Sequence, residues 1–531
     1  MYTTLLASAA FLTTVYTLYG LIYRLYFSPL AKYPGPKLAA ATRWYEFYYD
    51  VVKRNRFSWQ IQKMHDRYGS SSSFLPMIPG PIIRISPEEL HVRDPDWYDE
   101  LMTTSIRPRD KSEAFAGRSG RESIFGTVQH DHHRVRRGAL NPFFSKKSIS
   151  VIEPLIQSKV DLLCTALGEY APDGSDEKRA GKEVELGVAY MSLTLDIISH
   201  YAFGKSYGLL HLPGFSQLWK DVVENVMESF ALVRNLPWLP ELLKKLPMPV
   251  TKMIDTGMAF YLQMEAETRV EVAKIVEGEK KRTEKDIEDP MTAHKNIFEE
   301  LYDSNLPPQE KTIERLNEEG FALILAGADT SSATLSQFSY HLLANPNILK
   351  TLKEELKVAM PDTQVPMPWQ ELENLPFLRA CITEGLRVNA IATSRSVRAA
   401  PNETLHYKNW IIEPGTPVGM NTHFTHLSSE IFPEATKFDP YRWLKAEKEG
   451  TRAELEKYFN PFGKGSRNCV GINLANAELY MTIANVFRRV EMELFETERD
   501  DVTIVCDAFI GHPKKESKGV RVKVLKKWDR S

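Results

Sequence analysis

The sequence predicts a mainly α-helical protein with a small β region, preceded by a single N-terminal transmembrane helix. Three observations support this. Residues 1–23 carry no charged side chain. Long segments such as 313–344 and 472–486 have the apolar pattern of helices. Runs typical of strands are short, as at 81–86.

Charge and cysteine content exclude two classes of protein. The 531 residues include 67 Lys+Arg and 69 Asp+Glu, whereas a nucleic-acid-binding protein needs clustered positive charge. We therefore expect no nucleic-acid partner. Four widely scattered cysteines provide no CxxC spacing for zinc or a redox pair. So few cysteines in so long a chain fit a reducing compartment.

Residues 1–27 are predicted to be the membrane anchor. The mostly apolar run 5–26 has the length that spans a bilayer, which is about 20 residues. The first cations lie at its very end or C-terminal to it, so the positive-inside rule places the next domain in the cytoplasm. They are Arg24, Lys32, Lys37 and Arg43. A cleaved signal peptide is the alternative, but no positively charged segment precedes the apolar core.

A proline-rich hinge, residues 28–40, is predicted next, since Tyr33-Pro34-Gly35-Pro36 cannot continue a helix. Residues 41–531 then form one domain. Its first elements are a helix at 44–68 and a strand at 81–86, joined by a serine-rich segment.

The segment 130–144 is basic and has a helical pattern. His130, His132 and His133 lack the i, i+4 spacing of metal ligands on one helix face. His133 and Arg137 do lie four apart, so both can point at one acidic group. A solvated basic face is the alternative.

Three segments are predicted to lie at the surface. The apolar, proline-rich stretch 236–250 is interpreted as a surface that enters the membrane beside the substrate entrance, since exposed apolar patches are interaction sites. A buried loop is the alternative. The segments 171–182 and 279–289 are predicted to be a surface loop and a solvated charged link.

The long helix at 313–344 contains residues that do not favour helix. Gly327 costs about 1 kcal/mol relative to alanine. Asp329 and Thr330 compete for backbone groups. Such breaks of a local rule cluster at functional sites. A helix kink without chemistry is the alternative.

Cys469 is the central candidate for chemistry. It precedes the helix at 472–486, and a helix N-terminus favours a thiolate. Gly465 and Gly471 permit a tight turn and the close approach of a flat ligand. Arg467 keeps its charge and suits an acidic group on that ligand. These are the requirements of a cysteine that ligates haem iron. A buried free cysteine beside a turn is the alternative.

The stretch 462–471 resembles the haem-binding loop of the cytochrome P-450 family. Phe462, Gly465, Arg467, Cys469 and Gly471 fill the family pattern without a gap. Further motifs between Arg137 and Gly471 follow in the family's order. The residues around these motifs are similar to those of fungal biosynthetic-cluster members of the family such as trichodiene oxygenases. Family members usually lack residues like 70–79, which are either a surface loop or a retained intron.

The resemblance implies the cytochrome P-450 fold and roles for particular residues. Cys469 would be the axial ligand of the iron in haem b (iron protoporphyrin IX). Arg137, Arg467 and His133 would hold the propionates, with His133 replacing the family's tryptophan. Asp329 and Thr330 match the oxygen-activation motif. Three residues would lock the haem-binding core: Glu384, Arg387 and Arg442. His426 also fits the family pattern and would be a structural hydrogen-bonding residue.

The resemblance also implies a monooxygenase that uses O2 and obtains electrons from NADPH through a flavoprotein reductase, with cytochrome b5 as a second partner. We expect a single-pass protein of the endoplasmic reticulum membrane with a cytoplasmic catalytic domain. The expected substrate is lipophilic and terpenoid, with a polyketide or alkaloid as the alternative. Apolar residues expected near the haem are Phe321, Ile324, Ala326, Ile391, Ala392, Phe509 and Ile510.

Two other functions fit the same motifs. One is a haem-thiolate enzyme that rearranges its substrate without O2, against which the intact Asp329-Thr330 pair argues. The other is a membrane-anchored haem sensor or scaffold without turnover.

Overall fold

A computed structural model describes residues 2–68, 81–104, 106–113, 120, 122–243, 245–254, 256–278 and 296–526. The segments predicted as an insertion, 70–79, and as a charged link, 279–289, lie outside the described residues. Within the described part, the fold is mainly helical with small sheets, as predicted.

The α-helices are given in chain order. The first group is α1 (Tyr2–Ile22), α2 (Lys37–Ala41), α3 (Trp44–Phe47), α4 (Phe57–Tyr68), α5 (Tyr98–Leu101), α6 (His130–Leu140), α7 (Lys146–Val151) and α8 (Glu153–Gly168). The second is α9 (Leu186–Phe203), α10 (Gln217–Asn235), α11 (Leu239–Leu243), α12 (Met248–Ile254), α13 (Thr256–Val276), α14 (Ile297–Asp303) and α15 (Ile313–Leu343). The third is α16 (Pro346–Ala359), α17 (Trp369–Leu372), α18 (Pro376–Asn389), α19 (Thr422–His426), α20 (Tyr441–Glu449), α21 (Arg452–Tyr458) and α22 (Ile472–Arg489).

The strands are short. They are β1 (Ile82–Arg84), β2 (Leu90–Val92), β3 (Asp110–Lys111), β4 (Glu183–Glu185), β5 (Ser396–Ala399), β6 (Leu405–Tyr407), β7 (Trp410–Ile412), β8 (Val418–Met420), β9 (Glu491–Leu494), β10 (Cys506–Ala508), β11 (Ile510–His512) and β12 (Arg521–Lys526). The largest sheet has the order β1-β2-β8-β5-β3, and β4-β12-β9 form a second. Hairpins β6-β7 and β10-β11 complete the β region.

The long helix α15 forms the centre of the core. The Thr312 hydroxyl caps its first turn, and it ends before Asn345-Pro346, because proline cannot continue the helix. It packs along α9, α13, α18 and α22. A side chain at Gly327 would place its Cβ 2.8 Å from Ile198 Cγ1, so glycine permits the close approach of α9. Helix α15 is continuous at Gly327.

The N-terminal segment has the features of an anchor. Helix α1 continues as a π-helical turn, Tyr23–Phe27, and the 26 residues Tyr2–Phe27 are long and apolar enough to cross a membrane, with a mean hydropathy of 1.7. Residues 28–40 are packed rather than free. The Tyr33 ring stacks on Trp410 at 4.7 Å, and its hydroxyl donates to the Ile411 carbonyl oxygen over 2.7 Å.

The structure corrects one prediction about the chain before α13 and excludes one of the two alternatives for another. The single helix predicted at 44–68 is interrupted at Arg54 and Asn55, which adopt φ values of 54° and 57°. Tertiary contacts hold this turn: Arg54 pairs with Glu228 of α10 at 2.6 Å, and the Asn55 carbonyl accepts the Asp507 N–H over 2.8 Å. The described part of segment 236–250 is not a buried loop, since it contains α11 and the start of α12 and exposes Trp238, Leu242, Met248 and Val250.

Candidate active site

The Cys469 loop is held by its own backbone. A short 3₁₀ turn at Gly465–Arg467 precedes it, and the Cys469 N–H donates to the Phe462 carbonyl oxygen over 2.9 Å. Gly465 has a φ of +75°, and a Cβ there would collide with the carbonyl oxygens of Met102 and Thr103. Only glycine fits this position without moving the neighbouring backbone.

Cys469 lines a cavity of about 400 Å³ between α15 and α22, and its side chain is exposed to that space. Burial raises the pKa of its thiol, while the Gly471 N–H and the charge of Arg137 act in the opposite direction. The other three cysteines are buried elsewhere. Cys469 is therefore the cysteine whose sulfur faces the cavity.

Six cations line the same cavity. Arg395 and Lys464 pair with acidic side chains, and the other four form a cluster: Lys111, Arg137, Arg398 and Arg467. Burial lowers the pKa of each, and for Lys111 and Arg467 the charge of Arg398 is the next cause. The pKa of Arg467 falls to about 9. Strand register places Lys111 directly opposite Arg398, and like charges in that position destabilise a sheet. The cluster is suited to a ligand that brings negative charge, as the two propionates of haem would.

Two of the predicted propionate-binding side chains also fix the loop. Arg137 donates to the Asn468 carbonyl oxygen over 2.6 Å and to Asn468 Oδ1 over 3.0 Å. Arg467 donates to the carbonyl oxygens of Thr127 and Val128, both over 2.6 Å. Loop 127–129, helix α6 and the cysteine loop are thereby joined along one side of the cavity.

His133 is buried and lines the cavity. Burial and the charges of Arg467, Lys111, Arg137 and Arg398 lower its pKa to about 2, so its imidazole is neutral. Its helix is not a solvated basic face: Arg136 is also buried and pairs with Glu310 at 2.8 Å.

The predicted oxygen-activation residues lie on different faces of α15. Thr330 lines the cavity, and its hydroxyl donates to the Ala326 carbonyl oxygen over 2.8 Å. Asp329 points away and is buried. Burial raises its pKa to about 6, against the charges of His512 and Lys220. Within the described residues, Asp329 Oδ2 has no hydrogen-bond partner.

Sequence reasoning missed a second buried acid. Glu478 of α22 lines the cavity and is 1% exposed. Burial raises its pKa to about 8, and a hydrogen bond with Ser331 opposes the shift. Its side chain is thus protonated at neutral pH. Only its position in an apolar helix face could have indicated it.

Lys111 and Arg398 were also missed. Each is a single cation in a short strand, and the pairing of β3 with β5 brings them together. No local pattern in the sequence predicts this register.

The predicted structural cluster lies behind the cysteine loop. Both Glu384 and Arg387 are fully buried and form a bidentate pair at 2.7 and 2.8 Å. Arg442 Nε also donates to Glu384, over 3.0 Å. Arg387 reaches the His426 carbonyl oxygen over 2.7 Å, and the His426 ring accepts the Asn460 N–H over 2.9 Å. One buried network therefore joins α18, α19, α20 and the approach to the loop.

A smaller chamber of about 150 Å³ adjoins the cavity. Six of the residues expected near the haem line one space or both: Phe321, Ala326, Ile391, Ala392, Phe509 and Ile510. The expectation for Ile324 is wrong, because Ile324 lines neither space and lies in the core. Arg234 also lines the chamber, and it pairs with Asp50.

Comparison with known proteins agrees with this geometry. The family model described as "Cytochrome P450" matches residues 78–516. Cytochrome P450 monooxygenase MO6277 of Ascocoryne sarcoides is 42% identical, covering 94% of this chain and 95% of that protein. Tryptophan 6-hydroxylase fscE of Fusarium equiseti is 40% identical, with coverages of 95% and 94%. Cytochrome P450 monooxygenase TRI4 of Fusarium sporotrichioides is 36% identical, with coverages of 97% and 95%.

The fold agrees with a solved structure. The crystal structure of a cytochrome P450, CYP102L1, matches with a TM-score of 0.64 at 18% identity, covering 82% of this chain and 92% of that one. The predicted fold and family are therefore confirmed. Members of the family are haem-thiolate proteins that use O2 and receive electrons from a redox partner. The chain belongs to the cytochrome P450 family and is an oxidoreductase of the monooxygenase class.

Proposed function

We propose that this protein is an NADPH- and reductase-dependent monooxygenase that inserts oxygen into a lipophilic secondary metabolite. The single observation that carries the proposal is the cavity with the Cys469 sulfur on one wall and Thr330 on another. The group proposed there is haem b. When bound, it supplies the redox chemistry that activates dioxygen.

The residues present fit that group. Cys469 would hold the iron, and the Gly471 N–H favours the negatively charged sulfur. Arg137, Arg398, Arg467 and Lys111 would hold the propionates, with neutral His133 between them. Phe462, Gly465 and Gly471 shape the loop so that a flat ring can lie against it.

Thr330 and Asp329 are proposed to handle protons. A hydroxyl both accepts and donates a hydrogen bond, so Thr330 can hold a water in the cavity and pass a proton to it. The Asp329 carboxyl has a pKa raised to about 6 and can exchange protons near neutral pH from the adjacent face of α15. A positioned proton donor of this kind distinguishes a monooxygenase from a rearrangement enzyme.

Glu384, Arg387, Arg442 and His426 are proposed to act structurally. Their hydrogen bonds lie within the network behind the loop and end on backbone groups rather than in the cavity. Their role would be to hold the cysteine loop in place.

The proposed electron donor is an NADPH-dependent flavoprotein reductase, with cytochrome b5 as a second donor. Both would dock on the face that carries the cysteine loop. NADPH oxidation that requires both reductase and substrate would separate this enzyme from a haem sensor, which would consume none.

The proposed substrate is a terpenoid, because the chamber wall is largely apolar, including Met227, Phe230 and Leu325. An aromatic amino-acid derivative or alkaloid is a second candidate, favoured by the relative named tryptophan 6-hydroxylase and by charged Arg234 and Asp507 on the chamber wall. A polyketide is a further alternative. Titration of the ferric spin state with sesquiterpenes, polyketides and tryptophan discriminates among them.

The proposed location is the endoplasmic reticulum membrane, with a cytoplasmic catalytic domain. Deletion of residues 1–27 should move much of the protein to the soluble fraction, and residual binding would indicate the exposed segment at Trp238. The native Asn402-Glu403-Thr404 sequon reports orientation. It should remain unmodified, and efficient glycosylation would contradict the orientation.

The central test concerns Cys469. The reduced protein with carbon monoxide should show the red-shifted Soret band of thiolate-ligated haem, and Cys469→Ser should abolish it. Cys164→Ser is the matched control, since Cys164 is buried away from the cavity. A Cys469→Ser variant that keeps the band would refute the assignment.

A further inference from the structure

The chamber and the cavity meet at an aromatic wall. Phe125 and Phe509 line both spaces, whereas Phe230 lines the chamber alone. The Phe125 and Phe509 rings meet edge to face, with centroids 5.1 Å apart and an interplanar angle of 85°. Phe230 touches the other side of Phe509 at 6.1 Å. The three rings come from separate parts of the chain: the loop before α6, the β10–β11 turn and helix α10.

Phe509 stands in an unusual backbone conformation. It is the single residue between the paired Ala508 and Ile510, and its φ is 73°. A bulky residue at positive φ is an outlier, and glycine would adopt this turn without strain. Strained positions of this kind concentrate at ligand clamps and active sites. The turn itself therefore does not explain a phenylalanine at this position, whereas the contact of its ring with Phe125 does.

Phe125 is held from the cavity side. The Lys111 ammonium lies 3.6 Å from the Phe125 ring centroid and also donates to the Phe125 carbonyl oxygen. Although in contact with both neighbours, the side chain remains 41% exposed to the space around it. The Phe125 ring is thus held by Lys111, one of the cations that line the cavity, and by the Phe509 ring.

We propose that Phe125, Phe509 and Phe230 form an aromatic gate between the smaller chamber and the haem cavity, and that Phe509 determines which ligands reach the iron. This inference rests on the proposed monooxygenase function. A small ligand passes without disturbing the rings, whereas a bulky apolar ligand must part the Phe125–Phe509 contact. The gate therefore presents the slim end of a lipophilic substrate to the iron and keeps its body in the chamber lined by Met227 and Leu325.

The test uses two probes that coordinate ferric haem through an imidazole nitrogen, so no substrate need be known. Imidazole is the small probe and 4-phenylimidazole the bulky one, and stopped-flow absorbance of the Soret band follows binding to the full-length holoprotein. In Phe509→Gly the association rate of 4-phenylimidazole should rise by up to about tenfold. This factor corresponds to the free energy of one aromatic contact, which the ligand no longer has to break. The imidazole rate should stay within about twofold of wild type, since the small probe does not touch the gate.

Three variants separate the gate from other effects. Phe125→Ala removes the partner ring and should accelerate 4-phenylimidazole like Phe509→Gly. Phe509→Ala removes the same ring but keeps the strained φ, so an equal acceleration assigns the effect to the ring. Leu325→Ala enlarges the chamber without touching the gate, and it should leave both rates unchanged.

The outcomes separate two failures. Absence of the thiolate–haem carbon monoxide band in wild type would overturn the proposed function itself. A normal band with unchanged 4-phenylimidazole rates in both Phe509→Gly and Phe125→Ala would overturn the gate alone. Equal acceleration by Leu325→Ala would also overturn it, since any enlargement would then suffice.

Discussion

Glu384 and Asp329 are two buried carboxylates on helices that pack against each other, yet their surroundings differ. Glu384 on α18 accepts hydrogen bonds from the side chains of Arg387, Arg442 and Trp443 and from the Asp439 N–H. Asp329 on α15 has an oxygen without a hydrogen-bond partner in the described part of the chain. Both side chains are therefore buried, but Glu384 has hydrogen-bond partners for both of its carboxylate oxygens, whereas Asp329 lacks one for Oδ2 among the described residues.

The difference distinguishes a structural carboxylate, Glu384, from a carboxyl suited to proton transfer, Asp329. A buried charge is tolerated when ion pairs and hydrogen bonds offset its lost hydration. The Glu384 network provides both and fixes the segment before the cysteine loop. Asp329 receives too little compensation, so burial raises its pKa to about 6. A carboxyl that titrates near neutral pH is poorly suited to locking a structure and well suited to moving protons.

The largest effect is expected for Glu384→Gln. Loss of this carboxylate leaves the buried guanidiniums of Arg387 and Arg442 without their counter-charge, which typically costs about 3–5 kcal/mol. Chemical denaturation should show the lower free energy of unfolding, together with a low yield of holoprotein. Arg379→Ala is the control, since its exposed pair with Glu447 at 2.9 Å should contribute at most about 1 kcal/mol. Equal losses in the free energy of unfolding in both variants would show that the buried Glu384 network stabilises the fold no more than an exposed ion pair does.

Thr330→Ala should affect chemistry without affecting stability. Positioned proton transfer contributes about 10²–10⁴-fold, so product formed per NADPH should fall sharply while hydrogen peroxide rises. The carbon monoxide spectrum and substrate affinity should persist. Thr334→Ala is the matched control, because Thr334 makes the same type of bond, to the Thr330 carbonyl at 2.8 Å, one turn later. Efficient product formation by Thr330→Ala would favour rearrangement chemistry.

Asp329→Asn should change the pH dependence of stability. The folded pKa of about 6 lies above the ordinary value of 3.8, so the folded state binds the proton more tightly than the unfolded state. Wild-type stability should therefore fall as pH rises from about 4 to about 6, by about 3 kcal/mol at most. The variant should lack this decline and turn over more slowly. Free energies of unfolding at pH values below and above this window test the sign, and parallel curves for both proteins would contradict it.

The smallest effect is expected where like charges meet. Lys111→Met removes the repulsion opposite Arg398, which costs about 0.2–1 kcal/mol, but also removes the contacts of Lys111 with Phe125. The free energy of unfolding of the apoprotein should therefore change by less than about 1 kcal/mol. The same change should accelerate haem loss, because one propionate partner is missing. Denaturation of apoprotein and haem transfer to a scavenger protein measure the two. Stabilisation of both forms would indicate that Lys111 is not a ligand-binding cation.

The sequence by itself determined the features whose signal lies in consecutive residues. The run Tyr2–Phe27, the long helix α15 and the loop around Cys469 each depend on composition or spacing within one segment. Their physical requirements are local: apolar length for a membrane, helical period for burial, and glycine for a tight turn at Gly465.

Only the tertiary structure decided the features that distant segments create together. Sheet register placed Lys111 opposite Arg398, and contacts with α10 and β10 interrupted the helix predicted at 44–68. Packing against α9 gave Gly327 its role, and α15 gave Glu478 its hydrogen-bonding partner Ser331. In each case the energy depends on distances between residues far apart in the chain, and no local pattern specifies those distances.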